Sequence, residues 1–187
     1  MRALSHWRFA AVFITAAFLS LNALWIPAKA ELAQWLLERS WNDIQAGAEW
    51  SPPWPWADTQ PVAVLSVPSL NIRQLVLEGD SGRNLAFGPV LRGSTSSRDL
   101  VISAHRDTHF TFVRELEVGD QVSIEIAGEK RTYGVSFQEV IDTTHNALVI
   151  EPGIDRLSLV TCYPFDAIDT GGPLRYVVTA LPLPGET

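Results

Sequence analysis

The sequence contains the segment Leu157-Ser158-Leu159-Val160-Thr161-Cys162-Tyr163-Pro164, an alternating apolar run that ends on the only cysteine of the chain. The alternation and the β-branched residues predict a strand over 157–162, and a proline cannot continue a central strand. Cys162 therefore lies at a strand end, where its thiol can face a cleft. A lone thiol with a distant histidine is a sequence signal for a cysteine nucleophile, although most cysteines in apolar strands are buried hydrophobes.

Two further apolar runs deliver the groups that a cysteine nucleophile needs. The run Val101-Ile102-Ser103-Ala104 ends on His105, and Arg175 opens the run Tyr176-Val177-Val178. An imidazole can activate the thiol and protonate a leaving group, and a guanidinium can hold a developing oxyanion. Each residue taken alone also fits a solvent-facing position at a strand edge. We expect the three side chains to meet at one mouth of a small barrel.

Short runs separated by Gly, Pro, Asp and Asn predict a mainly β fold. The predicted strands are Val62–Val67, Ile72–Leu77, Leu100–Ala104, Gln121–Ile126, Arg131–Ile141, Leu148–Ile150, Leu157–Cys162 and Arg175–Leu181. Only Arg83–Phe87 and Thr108–Leu116 fit short helical turns. About eight strands in about 120 residues predict a closed or nearly closed barrel, which we place at 61–187.

The region before the barrel predicts a membrane anchor. Residues 9–26 form an uncharged, mostly apolar stretch that follows Arg2 and Arg8, and a helix of this length spans roughly 27 Å. The positive-inside rule leaves residues 1–8 in the cytoplasm and places the barrel outside it. We therefore expect a single-pass protein of the cell membrane. The alternative is a cleaved signal peptide with Ala28-Lys29-Ala30 as its cleavage site.

Residues 27–60 divide into an amphipathic helix and a Pro/Trp-rich linker. Apolar residues recur at helical spacing from Leu32 to Ala48, and the prolines within 52–61 then exclude a helix. The helix either packs on the barrel or rests Trp35 and Trp41 on a bilayer surface. The linker is expected to be stiff and extended.

Composition excludes several classes of function. The formal net charge is −7, and every acidic residue lies at or after Glu31. An acidic surface repels phosphate backbones, so nucleic acid is a poor partner. One cysteine permits neither a disulfide within the chain nor a multi-cysteine metal site. His105 ends a strand, so it does not share a helix face with His109 as a ligand pair, and His145 is interpreted as a loop residue. We predict no metal and no cofactor.

These features together resemble the sortases, the membrane-anchored cysteine transpeptidases of bacteria. The residues from Ser158 to Cys162 are similar to the family's Thr-Leu-x-Thr-Cys signature, and the gap from Cys162 to Arg175 fits its spacing. The run that ends on His105 resembles the family's strand ending in Gly-His. Two positions depart from the pattern: Ser158 keeps the hydroxyl of the signature threonine, and Ala104 adds a methyl beside the site. The resemblance covers roughly 61–181.

The resemblance implies a sortase-like barrel and a transpeptidase mechanism. Cys162 would attack a C-terminal sorting signal of the Leu-Pro-x-Thr-Gly kind on a surface protein, and an amine on the cell envelope would receive the product. His105 would protonate the departing amine and later accept a proton from the incoming one. Arg175, with backbone N–H groups, would steady the tetrahedral oxyanion.

The resemblance also places Thr161 and Ala104 in the substrate pocket and makes the connection Asp142–Ile154 a wall of the groove. Two other functions stay open. An L,D-transpeptidase is also an extracytoplasmic cysteine acyl-transferase, but it would require a Ser-x-Gly-Cys motif, and here Thr161 precedes Cys162. A membrane-tethered barrel that grips peptides without cleaving them would keep the same three residues.

Overall fold

The computed structural model describes residues 29–79, 81–145, 149–151, 153–167 and 171–183. The chain divides into two compact units, Met1–Leu36 and Leu37–Thr187. A helix, α1, runs from residue 29 to residue 45. The predicted anchor at 9–26 and the predicted cytoplasmic segment 1–8 lie outside the described residues. Among the residues that are described, no helix combines the length and the apolar character needed to cross a membrane.

The second unit is built around a closed barrel of eight strands. The strands are β1 Pro61–Val67, β2 Ile72–Glu78, β3 Val90–Arg92, β4 Asp99–Ser103, β5 Gln121–Ile126, β6 Glu129–Asp142, β7 Arg156–Cys162 and β8 Leu174–Pro182. Their order around the barrel is β1-β2-β3-β4-β7-β8-β6-β5. Short 3-10 turns lie at Pro68–Leu70, Asn84–Ala86 and Thr111–Glu115. The predicted mainly β fold with a closed barrel of eight strands and few helices is confirmed.

Alternate residues of each strand fill the barrel. Successive side chains of a strand point to opposite faces, and one set forms a single buried apolar cluster. On the three strands that matter below, the inward residues are Leu100 and Ile102 of β4, Leu157 and Leu159 of β7, and Val178 and Ala180 of β8. The intervening residues, Val101, Val160 and Val177, form a separate cluster on the outer face. The barrel wall is therefore apolar inside and available for other contacts outside.

The predicted strand Leu148–Ile150 does not form where it is described, and β3 was not predicted. Leu148 lies outside the described residues, Val149 and Ile150 lie outside any strand, and Ile150 instead packs from a loop against the outer cluster. β3 was not predicted because three residues after Pro89 are too few to show an alternating pattern. It pairs in parallel with β2 and antiparallel with β4, which closes this part of the wall.

The outer face of β1, β2 and β3 is covered by the chain that precedes the barrel. Leu37 and Trp41 of α1 pack against an apolar cluster on these strands: Val64, Leu75, Leu77 and Val90. Trp41 is only 5% exposed, so the interpretation that placed it on a bilayer is wrong and the packing interpretation holds. Trp35 is 58% exposed.

The Pro/Trp-rich segment also lies against the barrel, whereas the sequence predicts a stiff, extended connector. The Trp54 ring lies 4.8 Å from the Phe87 ring, centroid to centroid. The Thr59 hydroxyl donates a hydrogen bond of 2.8 Å to the Glu78 carbonyl. The backbone N–H of Ser51 donates to the Gln60 side chain at 3.2 Å. The segment therefore belongs to the same compact unit as the barrel.

Candidate active site

The outer face of β4, β7 and β8 carries the three predicted catalytic residues. Cys162 follows Val160 by two positions on β7, and Arg175 precedes Val177 by two on β8. His105 comes two residues after the end of β4. Since Val160 and Val177 point outward, strand alternation directs Cys162 and Arg175 outward as well. The predicted position at a barrel mouth is therefore corrected to the outer wall, near the strand ends.

Strand register brings these residues side by side. Cys162 is directly opposite Arg175 in the antiparallel pair of β7 and β8. In the parallel pair of β4 and β7, Ser103 is opposite Val160. The backbone N–H of Ala104 donates to the Val160 carbonyl at 3.2 Å, so the pairing continues past the end of β4. Extended by two residues, this register brings His105 alongside Cys162.

A cleft of about 600 Å³ opens over these strand ends. The described residues that line it are Leu85, Arg92, Ser103, Ala104, His105, Thr143, Thr144, His145, Val160, Thr161, Cys162 and Arg175. All five site residues predicted from the sequence are among them. The His105 side chain is exposed, and Cys162 and Arg175 are half-buried. A thiol in this position can be reached by a substrate that lies in the cleft.

Thr161 fastens the two strand ends that carry the thiol and the imidazole. Its side chain is 2% exposed, and its hydroxyl donates a hydrogen bond of 2.8 Å to the Ala104 carbonyl. The bond joins the residue before Cys162 to the residue before His105. A hydroxyl at this position therefore fixes the spacing between the two strand ends, in addition to its place in the cleft lining.

Arg175 is oriented by its own backbone neighbourhood. Its Nη1 group donates to the carbonyls of Gly172 at 2.6 Å and Leu174 at 2.8 Å. A guanidinium has five N–H donors in a planar fork. Within the described part of the chain these two bonds leave Nε and Nη2 free, so donors of a fixed cation remain for an oxyanion beside Cys162.

A match to a family model identifies the family of the chain. The Sortase domain model matches residues 65–183, which begins in β1 and ends just after β8. The chain belongs to the sortase family. The family predicted from the motifs around Cys162, His105 and Arg175 is thus confirmed.

Similar proteins agree with this assignment. Sortase D of Bacillus subtilis (strain 168) is 28% identical over 124 residues, which are 64% of this chain and 62% of that protein. The chain thus matches less than two thirds of that relative's length.

Solved sortase structures share the fold. The complex of Streptococcus agalactiae sortase C1 and MTSET has a TM-score of 0.57 at 24% identity, covering 66% of this chain and 68% of that one. Sortase A from Corynebacterium diphtheriae has a TM-score of 0.55 at 22% identity, covering 68% and 63%. At these identities the likeness concerns the architecture alone.

One wall of the sortase cleft comes from the connection between β6 and β7, as the resemblance implies. The Asp142 carboxylate accepts hydrogen bonds from the Thr144 hydroxyl at 2.7 Å and the Thr144 N–H at 2.9 Å, and these bonds lower the pKa of Asp142. The Thr143 hydroxyl donates to the Pro173 carbonyl at 2.7 Å. His145 follows and lines the cleft, a contact that its polar sequence context did not reveal.

The far end of the same connection is held by a buried ion pair. Asp99, 1% exposed, accepts bonds from Arg156 Nε at 2.9 Å and Nη2 at 2.7 Å, and from the Glu151 N–H at 2.8 Å. Burial raises the pKa of Asp99, but the Arg156 hydrogen bonds, the Glu151 N–H and the Arg156 charge together outweigh it, so the pKa lies below its ordinary value. The carboxylate thus stays ionised and anchors the loop to β4 and β7.

A buried arginine holds the loop between β7 and β8. Arg106 is 6% exposed and donates to the carbonyls of Pro164 and Ala167. It also forms an ion pair with Asp107 at 3.1 Å. The residue next to His105 therefore supports the segment that joins Cys162 to Arg175. Sequence reasoning missed this residue because nothing in the local pattern separates a buried arginine from an exposed one.

His109 takes no part in the cleft lining. It is half-buried, and burial lowers its pKa, with a smaller contribution in the same direction from the charge of His105 and an opposing one from a hydrogen bond with the Ala86 backbone. In the part of the chain that the structure covers, no three His, Cys, Asp or Glu side chains are grouped to hold a metal ion.

Proposed function

We propose that the chain is a cysteine transpeptidase that cleaves a C-terminal Leu-Pro-x-Thr-Gly-like signal of a surface protein and transfers it to an amine on the cell envelope. One observation carries the proposal. His105 follows β4 and lies far from Cys162 of β7 and Arg175 of β8 in sequence, yet all three line one open cleft. A merely structural cysteine needs neither of the other two residues beside it.

In the first half-reaction the Cys162 thiolate attacks the scissile carbonyl carbon, and a C–S bond forms while the carbonyl electrons move to oxygen. The tetrahedral intermediate collapses, the C–N bond breaks, and His105 gives its proton to the departing amine. The product is a thioester on Cys162. Thiolate is the reactive form of a cysteine, and an adjacent imidazole that takes the thiol proton supplies it.

In the second half-reaction an amine attacks the thioester carbonyl. His105 accepts a proton from the attacking nitrogen, the new amide bond forms, and the C–S bond breaks to regenerate the thiol. Water in place of the amine gives hydrolysis. Arg175 stabilises the oxyanion in both halves, and removing one such donor typically lowers the rate by about 10²–10³.

The proposed location is the outer side of the cell membrane, with residues 9–26 as the anchor. The arginines at positions 2 and 8 and the uncharged run after them support this orientation. Protease added to intact spheroplasts should digest the barrel. Protease added to inside-out vesicles should leave the barrel intact. Protection in spheroplasts, with digestion in inside-out vesicles, would contradict the topology.

The decisive experiment looks for the covalent intermediate. The 187-residue chain, purified in a mild detergent, is mixed with Leu-Pro-x-Thr-Gly peptides and analysed by intact mass spectrometry. The expected result is an acyl adduct that hydroxylamine releases, absent from the Cys162→Ala variant. Since Cys162 is the only cysteine, no second thiol can carry it.

The same samples separate cleavage from mere binding. Fluorescence anisotropy of labelled peptides reports binding by both the parent chain and the Cys162→Ala variant. Saturable binding without any adduct or cleaved product would support the peptide-gripping barrel and refute the transpeptidase. Turnover by the Cys162→Ala variant would refute the role of Cys162.

A further inference from the structure

The charge of the cleft lining is opposite to that of the chain. The chain has a net charge of −7, yet the charged side chains among the described lining residues are Arg92 and Arg175. No Asp or Glu is among those lining residues. A cleft lined by one sign of charge concentrates ligands of the opposite sign. Arg175 and His105 already have proposed roles in the reaction, and Arg92 has none.

Arg92 is placed to meet a substrate. It ends β3, opposite Val101 of β4, so it lies on the outer face with Val101. A Cβ on the next residue, Gly93, would lie 3.0 Å from Cδ1 of Ile150, so the end of β3 lies beneath the connection that walls the cleft. The Arg92 side chain is exposed.

Arg92 also differs from most of the other arginines that follow β1. Five of those have acidic partners: Arg73 with Glu38, Arg98 with Asp155, Arg106 with Asp107, Arg131 with Glu129 and Arg156 with Asp99. In the described part of the chain the Arg92 side chain forms no ion pair or hydrogen bond. A guanidinium suits carboxylates because its planar fork matches them. Since no described carboxylate pairs with this side chain, it is available to bind a carboxylate that arrives in the cleft.

We propose that the cleft selects a sorting signal that carries an acidic side chain, and that Arg92 is the specificity-determining residue that binds it. The inference rests on the proposed function. The strand register places the Arg92 and Cys162 Cα atoms about 16 Å apart, two strand spacings across and four residues along. An extended peptide covers about 3.3–3.6 Å per residue, so the acidic residue lies within about five residues of the scissile bond.

The test is a charge scan of the substrate. Each peptide keeps the Leu, Pro, Thr and Gly of a Leu-Pro-x-Thr-Gly core. Glu, Gln or Lys is placed at x or, one position at a time, at each position outside the core within five residues of the scissile bond. At one position Glu should exceed Gln in kcat/KM by about fivefold and Lys by about tenfold, as expected for a partly exposed ion pair. The Arg92→Gln variant should lose the preference and Arg92→Lys should retain part of it.

A matched control has the same net charge. Arg114 is exposed and outside the cleft lining, so Arg114→Gln should keep the full preference. The proposal is overturned if no position prefers Glu, or if the preference persists in Arg92→Gln. If peptides are turned over without a charge preference, the transpeptidase stands and this inference fails.

A second measurement needs no peptide substrate. Iodoacetate and iodoacetamide alkylate the single thiol and differ by one negative charge. The measured quantity is the alkylation rate with iodoacetate divided by that with iodoacetamide. At about 10 mM ionic strength, where the Debye length is about 30 Å, this ratio should fall about twofold in Arg92→Gln. It should not change in Arg114→Gln. An equal ratio in the parent chain and Arg92→Gln would show that Arg92 exerts no field in the cleft, whether or not any peptide is cleaved.

Discussion

Two outer faces of the barrel are both built from β-strands, but one is covered by α1 and the other lines the open cleft. On β1, β2 and β3 the outward residues are mostly large and apolar, and Leu37 and Trp41 of α1 cover them. On β4, β7 and β8 the outward residues are valines in the middle of the face, and Ser103, Cys162 and Arg175 follow them at one end of it. Strand geometry is common to both. The outward residue types decide whether a face is packed or stays open as a cleft.

The largest expected effect tests whether the open face serves activity and not stability. His105→Ala should lower transfer of a sorting peptide by about 10³-fold, since general acid–base groups contribute about 10²–10⁴. The side chain is exposed, so the thermal unfolding midpoint should stay within about 2 °C. Steady-state kinetics and calorimetry on the same sample measure both. Ordinary activity in this variant would remove His105 from the mechanism.

The covered face should respond in the opposite way. Trp41→Ala leaves a cavity under α1 and should lower the free energy of unfolding by about 4 kcal/mol, measured by urea denaturation. Trp35 offers a matched control because it is exposed, and Trp35→Ala should change that free energy by less than about 0.5 kcal/mol. Equal effects of the two substitutions would show that Trp41 does not pack as described.

The loop that walls the open face depends on Asp99. Asp99→Asn removes the charge that Arg156 pairs with and should cost about 3 kcal/mol at neutral pH. The exposed Glu38–Arg73 pair is the control, and Glu38→Gln should cost at most about 0.5 kcal/mol.

The Asp99 effect has a defined pH dependence. The folded pKa of Asp99 is below its ordinary value, which is about 3.9 in an unfolded chain. The stabilisation is therefore complete above that pH and is lost as pH falls through the folded pKa. The difference between parent and Asp99→Asn, followed by urea denaturation from pH 7 to pH 3, should shrink on acidification. A difference that grows would have the wrong sign for this ion pair.

The smallest expected effect concerns the join between the two strands of the site. Thr161→Val removes the hydrogen bond to the Ala104 carbonyl and should cost about 1 kcal/mol of stability, together with a loss of kcat of up to about tenfold. Thr161→Ser, which keeps the hydroxyl, should restore most of both. Loss of activity in Thr161→Ser equal to that in Thr161→Val would indicate that the methyl group, and not the hydrogen bond, matters.

Most strands of the barrel could be predicted from the sequence because side chains alternate between the two faces of a strand. The runs that form β1, β2, β4, β5, β6, β7 and β8 alternate or are rich in apolar and β-branched residues over five or more positions, and Cys162, His105 and Arg175 lie at or next to the ends of such runs. The three residues of β3 carry too little pattern. Val149 and Ile150 resemble part of a strand because both are apolar, but they lie in a loop, from which Ile150 packs, partly buried, against the outer cluster.

The two carbonyl partners of Arg106 lie beyond any local pattern. They are backbone carbonyls 58 and 61 residues further along the chain. Every residue has a backbone carbonyl, so the sequence does not indicate which ones accept these bonds. His145 enters the cleft for a similar reason, since the path of its loop is set by Thr143 and Asp142 contacts rather than by apolar spacing.

The parallel pairing of β4 with β7 has a consequence for biosynthesis. His105 emerges early, but its neighbour Cys162 follows only after β5 and β6 have been made, and Arg175 comes later still. Contacts between residues so distant in sequence form slowly, because a long loop must close before they stabilise anything. A nascent chain therefore carries a thiol without its neighbours, and the site proposed for acyl transfer is complete only in the final stages of folding.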